Sequence, residues 1–306
     1  VAAMYGRRMP SSPERYGRAH EMIQVMQALW GSWGKDAWLH DQESGVCART
    51  DDIAPINLGG KYVGSTGPLY IPPSEQGQPV IFHAGGASSN SLNLAGRYAN
   101  AMIGAAFSIE HGQMQRTAFR DAATHFGRDP DEIKYIPGLI SSIARDTRTA
   151  VERRIKMSGD SLEQRAPYLQ QMLGVRFDTT RLDDALNPRT LARARASQDP
   201  RAEKALRLAQ EGWSLREILA LGVIEPQPVV AGTAEQVADF MQNWVEAGCG
   251  DGFMLPLGYY PGNLDDFIDK VIPILQERGL YKTEYAGTTL RENLGLTRPA
   301  NSNLTA

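Results

Sequence analysis

The sequence predicts an α/β fold in which parallel strands alternate with helices. Three observations lead there. Short apolar runs alternate with helix-period segments from Pro79 to Ile143, and the rhythm resumes from Thr233 to Gly279. The first run, Val80-Ile81-Phe82, is continuously apolar, as suits a buried parallel strand covered on both faces. Between the two alternating stretches, residues 147–222 carry helical patterning and no strand. Right-handed crossovers then leave two architectures, a doubly wound sheet or a barrel. Four strand–helix units can be counted, whereas a closed barrel has eight.

Taken in order, Ser11 to Trp30 reads as an amphipathic helix. Ser11-x-x-Glu14 fits a capping box, Pro13 sits where a first-turn proline is tolerated, and Tyr16, Ala19, Ile23, Met26 and Trp30 form the expected buried stripe. Tyr16 stands apart: its ring can pack, or its hydroxyl can meet an anion near the helix N-terminus. On residue type alone, packing is the simpler reading. Gly31 to Gly77 is a long Gly- and Pro-containing loop with short excursions at Lys61-Tyr-Val-Gly and Leu69-Tyr-Ile-Pro. A loop of that length often covers a binding site. Trp33, Trp38, Tyr62 and Tyr70 line such a site or simply anchor the loop.

Pro79 to Ser91 (PVIFHAGGASSNS) combines a strand, a turn of small residues and the start of a helix. Free amides and a helix dipole converge at such a junction, which makes it a phosphate cradle; an ordinary βα loop with a helix cap reads the same way. A helix over 91–99, a strand over Ala101–Phe107 and a helix over 112–127 follow. The next strand, 133–143, contains Pro137, which predicts a bulge or a strand end. The helical run includes LARARASQDPRAEKALRLAQEG, and its interleaved charges describe a solvated face. Thr233-Ala-Glu-Gln236 is a clean capping box, Asp251-Gly-Phe-Met-Leu-Pro-Leu reads as a strand, and Asn263 is placed as the cap of the last long helix. The polar tail from Tyr281 wraps the surface.

With 42% hydrophobic and 22% charged residues, the 306-residue chain has ordinary globular composition. A net charge of −3 gives no general attraction to nucleic acid or to an anionic membrane. No apolar run approaches ~18 residues, and the start lacks the apolar core of a signal peptide. Cys47 and Cys249 match no metal or redox spacing and are expected as buried or partly buried free thiols in a reducing cytoplasm. The five histidines offer no metal-ligand pair on one helix face, so no metal site is expected.

Several strings resemble one family. Pro13-Glu-Arg-Tyr-Gly-Arg-Ala-His-Glu-Met with Ala28-Leu-Trp-Gly-Ser-Trp resembles a recurrent helix of flavin-dependent monooxygenases in the bacterial luciferase superfamily. The nearest branch holds nitrilotriacetate monooxygenase component A, the pristinamycin synthase A subunit and dibenzothiophene sulfone monooxygenase. Gly67-Pro-Leu-Tyr-Ile-Pro-Pro-Ser, Gly86-Ala87-Ser88 ahead of Arg97-Tyr98-Ala99, Gly232-Thr-Ala-Glu-Gln and Arg278-Gly-Leu-Tyr-Lys-Thr-Glu-Tyr are similar to the same branch.

The resemblance implies a TIM (β/α)8 barrel of the luciferase-like type. This chain is expected to form a single domain over 1–306 that covers the C-terminal half of that barrel, with a helical insertion at 147–222. It implies a cytoplasmic, homo-oligomeric oxygenase component. That component uses reduced FMN (FMNH2) from an NAD(P)H:flavin reductase, together with O2, to oxygenate a small organic substrate. The alternatives are an inactive or partner-dependent fragment of such an enzyme, or a barrel for another phosphorylated ligand. By matched position, Tyr16 and Ser88 contact the FMN phosphate, Ser12 is a further flavin contact, and Gly86 and Ala87 belong to the phosphate turn. The spacing departs from the family by one additional residue between the strand and Ser88, and His83 has no matched role.

Overall fold

The computed structural model describes residues 4, 6, 8–159 and 161–299. It opens with helix α1 (Ser12–Trp30), whose N-cap Ser11 accepts from the Glu14 amide at 3.4 Å. Only half of the expected capping box forms, because the Glu14 carboxylate turns instead to Arg18 at 3.2 Å. The buried face of α1 is carried by Val25 and Ala28, whereas Met26, expected inside, is 36% exposed. The covering loop sets that face. The Glu21 carboxylate accepts from the amides of Lys61, Tyr62 and Val63 (3.2, 2.6 and 3.0 Å), drawing the loop onto the helix. Those amides flank the turn between β1 (Leu58–Gly59) and β2 (Gly64–Ser65), an antiparallel pair. Trp33 is buried and donates through Nε1 to the Leu69 carbonyl, so it anchors the loop; Tyr70 stands 90% exposed.

The parallel sheet begins at β3 (Phe82–Ala84), two residues later than Val80. It runs in the order β3, β4 (Ala101–Gly104), β5 (Lys134–Pro137), with helices α2 (Ser89–Tyr98) and α3 (Ile109–His125) as crossovers. Among the described residues β3 leaves Phe82 and Ala84 exposed on one face, where a covered strand was expected. It pairs with β4 alone among the described residues, and Phe82 is 44% exposed. The predicted strand 101–107 ends at Gly104.

β5 stops at Pro137, as that residue predicts, and β6 (Ile140–Ile143) pairs in parallel with β7 (Val229–Gly232). At the junction a Cβ on Gly138 would meet the end of the Gln227 side chain, which lies across the glycine. The expected strand 251–257 contracts to a parallel bridge at Met254. Its amides still extend the sheet, Asp251 donating to the Tyr135 carbonyl at 2.8 Å and Met254 to that of Pro137 at 3.0 Å. Pro256, which has no N–H, limits further pairing.

Between β6 and β7 lie α4 (Thr147–Ser158), α5 (Ser161–Leu173), α6 (Pro188–Leu191), α7 (Ala202–Gln210) and α8 (Leu215–Ala220). They share a core that includes Leu162, Leu169, Leu173, Leu182, Ile218 and Leu219. The segment read as one helix from Leu191 is not one: α6 ends at Leu191, residues 194–199 are irregular, and α7 begins at Ala202, two residues after Pro200. After β7, α9 (Ala234–Glu246) carries the full Thr233/Gln236 capping box. α10 (Gly262–Asp266), a π-turn (Phe267–Val271) and α11 (Ile272–Glu277) form one nearly continuous rod, and the π-turn falls just before Pro273. Asn263 is not its cap: it is buried and donates to the Ser141 carbonyl at 3.4 Å. In the tail, α12 (Leu290–Asn293) inserts Arg291, which donates to the Gln78 carbonyl at 2.8 Å and to Asn100 Oδ1 at 3.2 Å. Cys249 is buried but Cys47 is exposed, so the expectation of partial burial fails for the latter. No helix among the described residues is long and apolar enough to cross a membrane.

Candidate functional site

Helices α1 and α2 lie side by side and point the same way. Asn90 Nδ2 donates to Ser12 Oγ at 3.3 Å near their N-termini, and Tyr98 Oη lies 2.7 Å from His20 Nδ1 farther along. Both pairs are separated by 78 residues in sequence, the signature of parallel helices in constant register. Two positive helix ends therefore meet at one place, just past the C-terminal end of β3. In α/β architectures that end of the strands is where ligands collect.

The donors at this place follow from the local sequence. The helical ladder of α2 starts with the Leu92 amide bonded to the Ser88 carbonyl at 2.8 Å, so the amides of Ser89, Asn90 and Ser91 precede it. Ser88 is the N-cap, is exposed, and makes no capping bond with its side chain. Its hydroxyl thus remains available. α1 contributes less backbone, because Pro13 has no N–H and the Glu14 amide is taken by Ser11. It contributes side chains instead. Ser12, Tyr16 and His20 fall at i, i+4 and i+8, one ridge of the helix, and the outer two both touch α2. Tyr16 lies between them and is partly buried.

Of the residues singled out from sequence, Ser12, Tyr16 and Ser88 are brought to neighbouring elements at the same end. Gly86 and Ala87 form the exposed approach to Ser88. A Cβ at Gly86 would meet nothing within 4 Å, which leaves room for a group beside the backbone. Sequence reasoning gave no role to His83, His20 or Tyr98, and counted Ser91 only among the hydroxyls at the start of the helix. His83 Nε2 lies 2.9 Å from Ser91 Oγ, beneath the turn. The Tyr98–His20 contact braces the two helices, with ring centroids 5.4 Å apart. Burial, then the Arg97 guanidinium, pushes the His20 pKa down. Burial raises that of Tyr98, so both stay neutral near pH 7. No motif marks these residues; only their helical spacing relative to Ser12 and Ser88 could have found them.

The arrangement suits an anion carrying several oxygens, held by amides, the hydroxyls of Ser12, Tyr16 and Ser88, and two dipoles. Among the described residues no cluster of His, Cys, Asp and Glu could hold a metal ion. An apolar hollow of about 330 Å³ lined by Met241, Val245, Phe253 and Leu275 shares no residue with this site.

Residues 1–250 match the luciferase-like monooxygenase family. The chain is 34% identical to N-acetyl-S-(2-succino)cysteine monooxygenase of Bacillus subtilis (strain 168), over 94% of its own length and 66% of that protein. It is 32% identical to nitrilotriacetate monooxygenase component A of Aminobacter aminovorans, over 94% and 64% respectively. A solved riboflavin lyase containing a modified FMN and riboflavin superposes with a TM-score of 0.70 at 28% identity, covering 96% of this chain and 64% of the other. The chain therefore spans about two-thirds of the length of these relatives rather than the expected half.

Proposed function

The chain belongs to the luciferase-like monooxygenase family, and from that premise we propose that it serves a reduced-FMN-dependent, two-component monooxygenase as its oxygenase component. In this reading a separate NAD(P)H:flavin reductase supplies FMNH2, and one O2-derived oxygen atom enters a small organic substrate. The parallel strands are an arc of a (β/α)8 barrel, 1–306 is one domain with 147–222 as a helical insertion, and the working enzyme is a cytoplasmic homo-oligomer. The observation that carries the reading is the convergence of the α1 and α2 N-termini with Ser12, Tyr16 and Ser88 at one end.

The residues fit the phosphate end of FMN. The Ser88 hydroxyl and the amides of Ser89 to Ser91 face it from α2, while the Tyr16 and Ser12 hydroxyls approach from α1. Gly86 lets the phosphate come close to the backbone. Bound flavin supplies the redox chemistry. The part of this chain is to anchor and orient the cofactor, and the loop fastened by Glu21 to α1 shields it from water.

Binding of FMN and of riboflavin, followed by fluorescence quenching, tests the assignment. Hydrogen bonds to a charged group contribute about 1.5–3 kcal/mol each. Tyr16→Phe with Ser88→Ala should therefore weaken FMN binding by roughly 100-fold or more and leave riboflavin binding unchanged. Equal FMN affinity in the double variant and the parent would overturn it. Tight binding of another phosphorylated ligand with no FMN binding would favour a different cofactor at the same cradle.

A further inference from the structure

Beneath the phosphate turn lies a pair of side chains that the reading above leaves unused. His83 sits on β3 between two exposed residues, Phe82 and Ala84, and alternation along the strand directs its ring to the other face, toward α2. There Nε2 lies 2.9 Å from Ser91 Oγ, in the first turn of α2 and three residues past the N-cap Ser88. The chain crosses directly over the pair at Gly85. A Cβ at that position would fall 2.9 Å from Ser91 Oγ and 3.3 Å from His83 Nε2. The Gly85 amide is fixed to the Ile103 carbonyl at 3.0 Å, so the crossing strand has little room to move away. His83, Ser91 and the turn that ends at Ser88 thus form one packed unit.

We propose that His83 is a positioning residue for the FMN phosphate: it holds Ser91 and the turn in place, and it takes up a proton when the phosphate dianion occupies the α2 terminus. This rests on the phosphate reading given above.

The surroundings make the coupling specific. Burial alone moves the pKa of His83 below its ordinary value, so the ring is neutral near pH 7. A phosphate at the adjoining helix end acts in the opposite direction. Neighbouring elements offer few competitors for that charge. β4 has no ionisable residue between Ala101 and Gly104. On α2, Arg97 is bonded to Asn93 and Tyr98 to His20. On α1, Glu14 pairs with Arg18, and Arg15 donates to the Pro10 carbonyl. Arg97 and Arg15 keep their charge and act on the ring whether or not the phosphate is bound, so the phosphate's part is the difference between FMN and riboflavin. In the neutral tautomer protonated at Nδ1, Nε2 accepts from the Ser91 hydroxyl. In the charged ring it donates to Ser91 Oγ, which frees the hydroxyl hydrogen to turn toward the phosphate.

The test is the pH dependence of FMN and riboflavin affinity for the whole protein between about pH 5 and 8, the range in which histidine changes charge. The parent protein is compared with His83→Gln, which keeps a hydrogen-bonding side chain but cannot titrate. The phosphate itself titrates near pH 6, and the glutamine variant carries that contribution alone. The parent should gain up to about tenfold in FMN affinity, relative to the variant, on going from the upper to the lower end, as expected for one pKa unit of coupling. Riboflavin should show no such difference. Ser91→Ala, in which His83 remains titratable but loses its partner, should keep the pH dependence and lower affinity throughout. Parallel FMN profiles for the parent and His83→Gln, with FMN still preferred over riboflavin, would overturn the inference. Loss of any preference for FMN over riboflavin in the parent would overturn the phosphate reading itself, and this inference with it.

Discussion

Two polar regions of this molecule are built on opposite rules. In the helical segment between β6 and β7, one cluster of charges is drawn inward and engaged, while the others stay at the surface. Arg154, 7% exposed, donates to the Ala220 carbonyl at 2.6 Å and pairs with Glu225 at 3.4 Å, and Arg165 reaches the same carboxylate at 2.8 Å. Lys204 donates hydrogen bonds to the carbonyls of Leu221 and Val229 at 2.8 and 3.2 Å. At the paired helix ends of α1 and α2, the polar groups are exposed or half-buried, and Ser88 leaves its hydroxyl uncommitted. A buried ion must be satisfied within the fold or it costs several kcal/mol. A donor at the rim can wait for a ligand. Saturation therefore marks architecture, and unsaturation at a helix end marks a site.

The contrast can be broken most forcefully at Glu225. Glu225→Leu leaves Arg154 without its carboxylate and should cost about 3–5 kcal/mol in denaturant unfolding. FMN affinity of the folded protein should be unaffected. An equal loss of both would mean that the two regions are not independent.

Lys204 gives the next effect, and its sign is opposite to that of an exposed ion pair. Burial lowers its pKa to about 8. Between that value and the ordinary lysine pKa the unfolded chain binds the proton and the folded chain does not, so stability rises with pH. The gain should approach about 3 kcal/mol by pH ~10.5. Lys204→Met should remove this slope in a series of unfolding curves; the same slope in both proteins would refute the assignment.

Smaller effects sharpen the other side. Gly85→Ala places a methyl against His83 and Ser91 and should cost about 1–2 kcal/mol. Gly86→Ala, one residue on and facing open space, should change stability by less than about 0.5 kcal/mol. A thermal melt of both variants reads the difference. Smallest is Ser12→Ala, which removes one long, exposed bond to Asn90 and should shift stability by about 0.5 kcal/mol or less.

What could be read from the chain alone was what local physics controls. The Thr233/Gln236 box, the stop at Pro137 and the run of helices after Thr147 depend on residues within a few positions, and all are found. Of the candidate site, Tyr16, Ser12 and Ser88 were reached through resemblance, and the turn through its small residues. Contacts distant in sequence left no such trace. Glu21 shows nothing in its own neighbourhood that announces three amides forty residues away. Arg291 sits in a polar tail yet is buried against Gln78 and Asn100. β3 starts two residues later than its apolar run, and the contact between His83 and Ser91 follows from how the strand pairs with β4 and where α2 then packs. The edge position of β3 likewise depends on which strands pair, and that is not written in its residues.

The constant register of α1 and α2 has an energetic side as well. Two parallel helices set like poles against each other, so their positive ends repel at short range. A negative group between the ends offsets that repulsion. Any anion that settles between the ends should raise the melting temperature in proportion to the logarithm of its concentration, once well above its dissociation constant. Phosphate or sulfate titrated at fixed ionic strength would then act as a thermometer of the cradle, reporting its occupancy without any flavin.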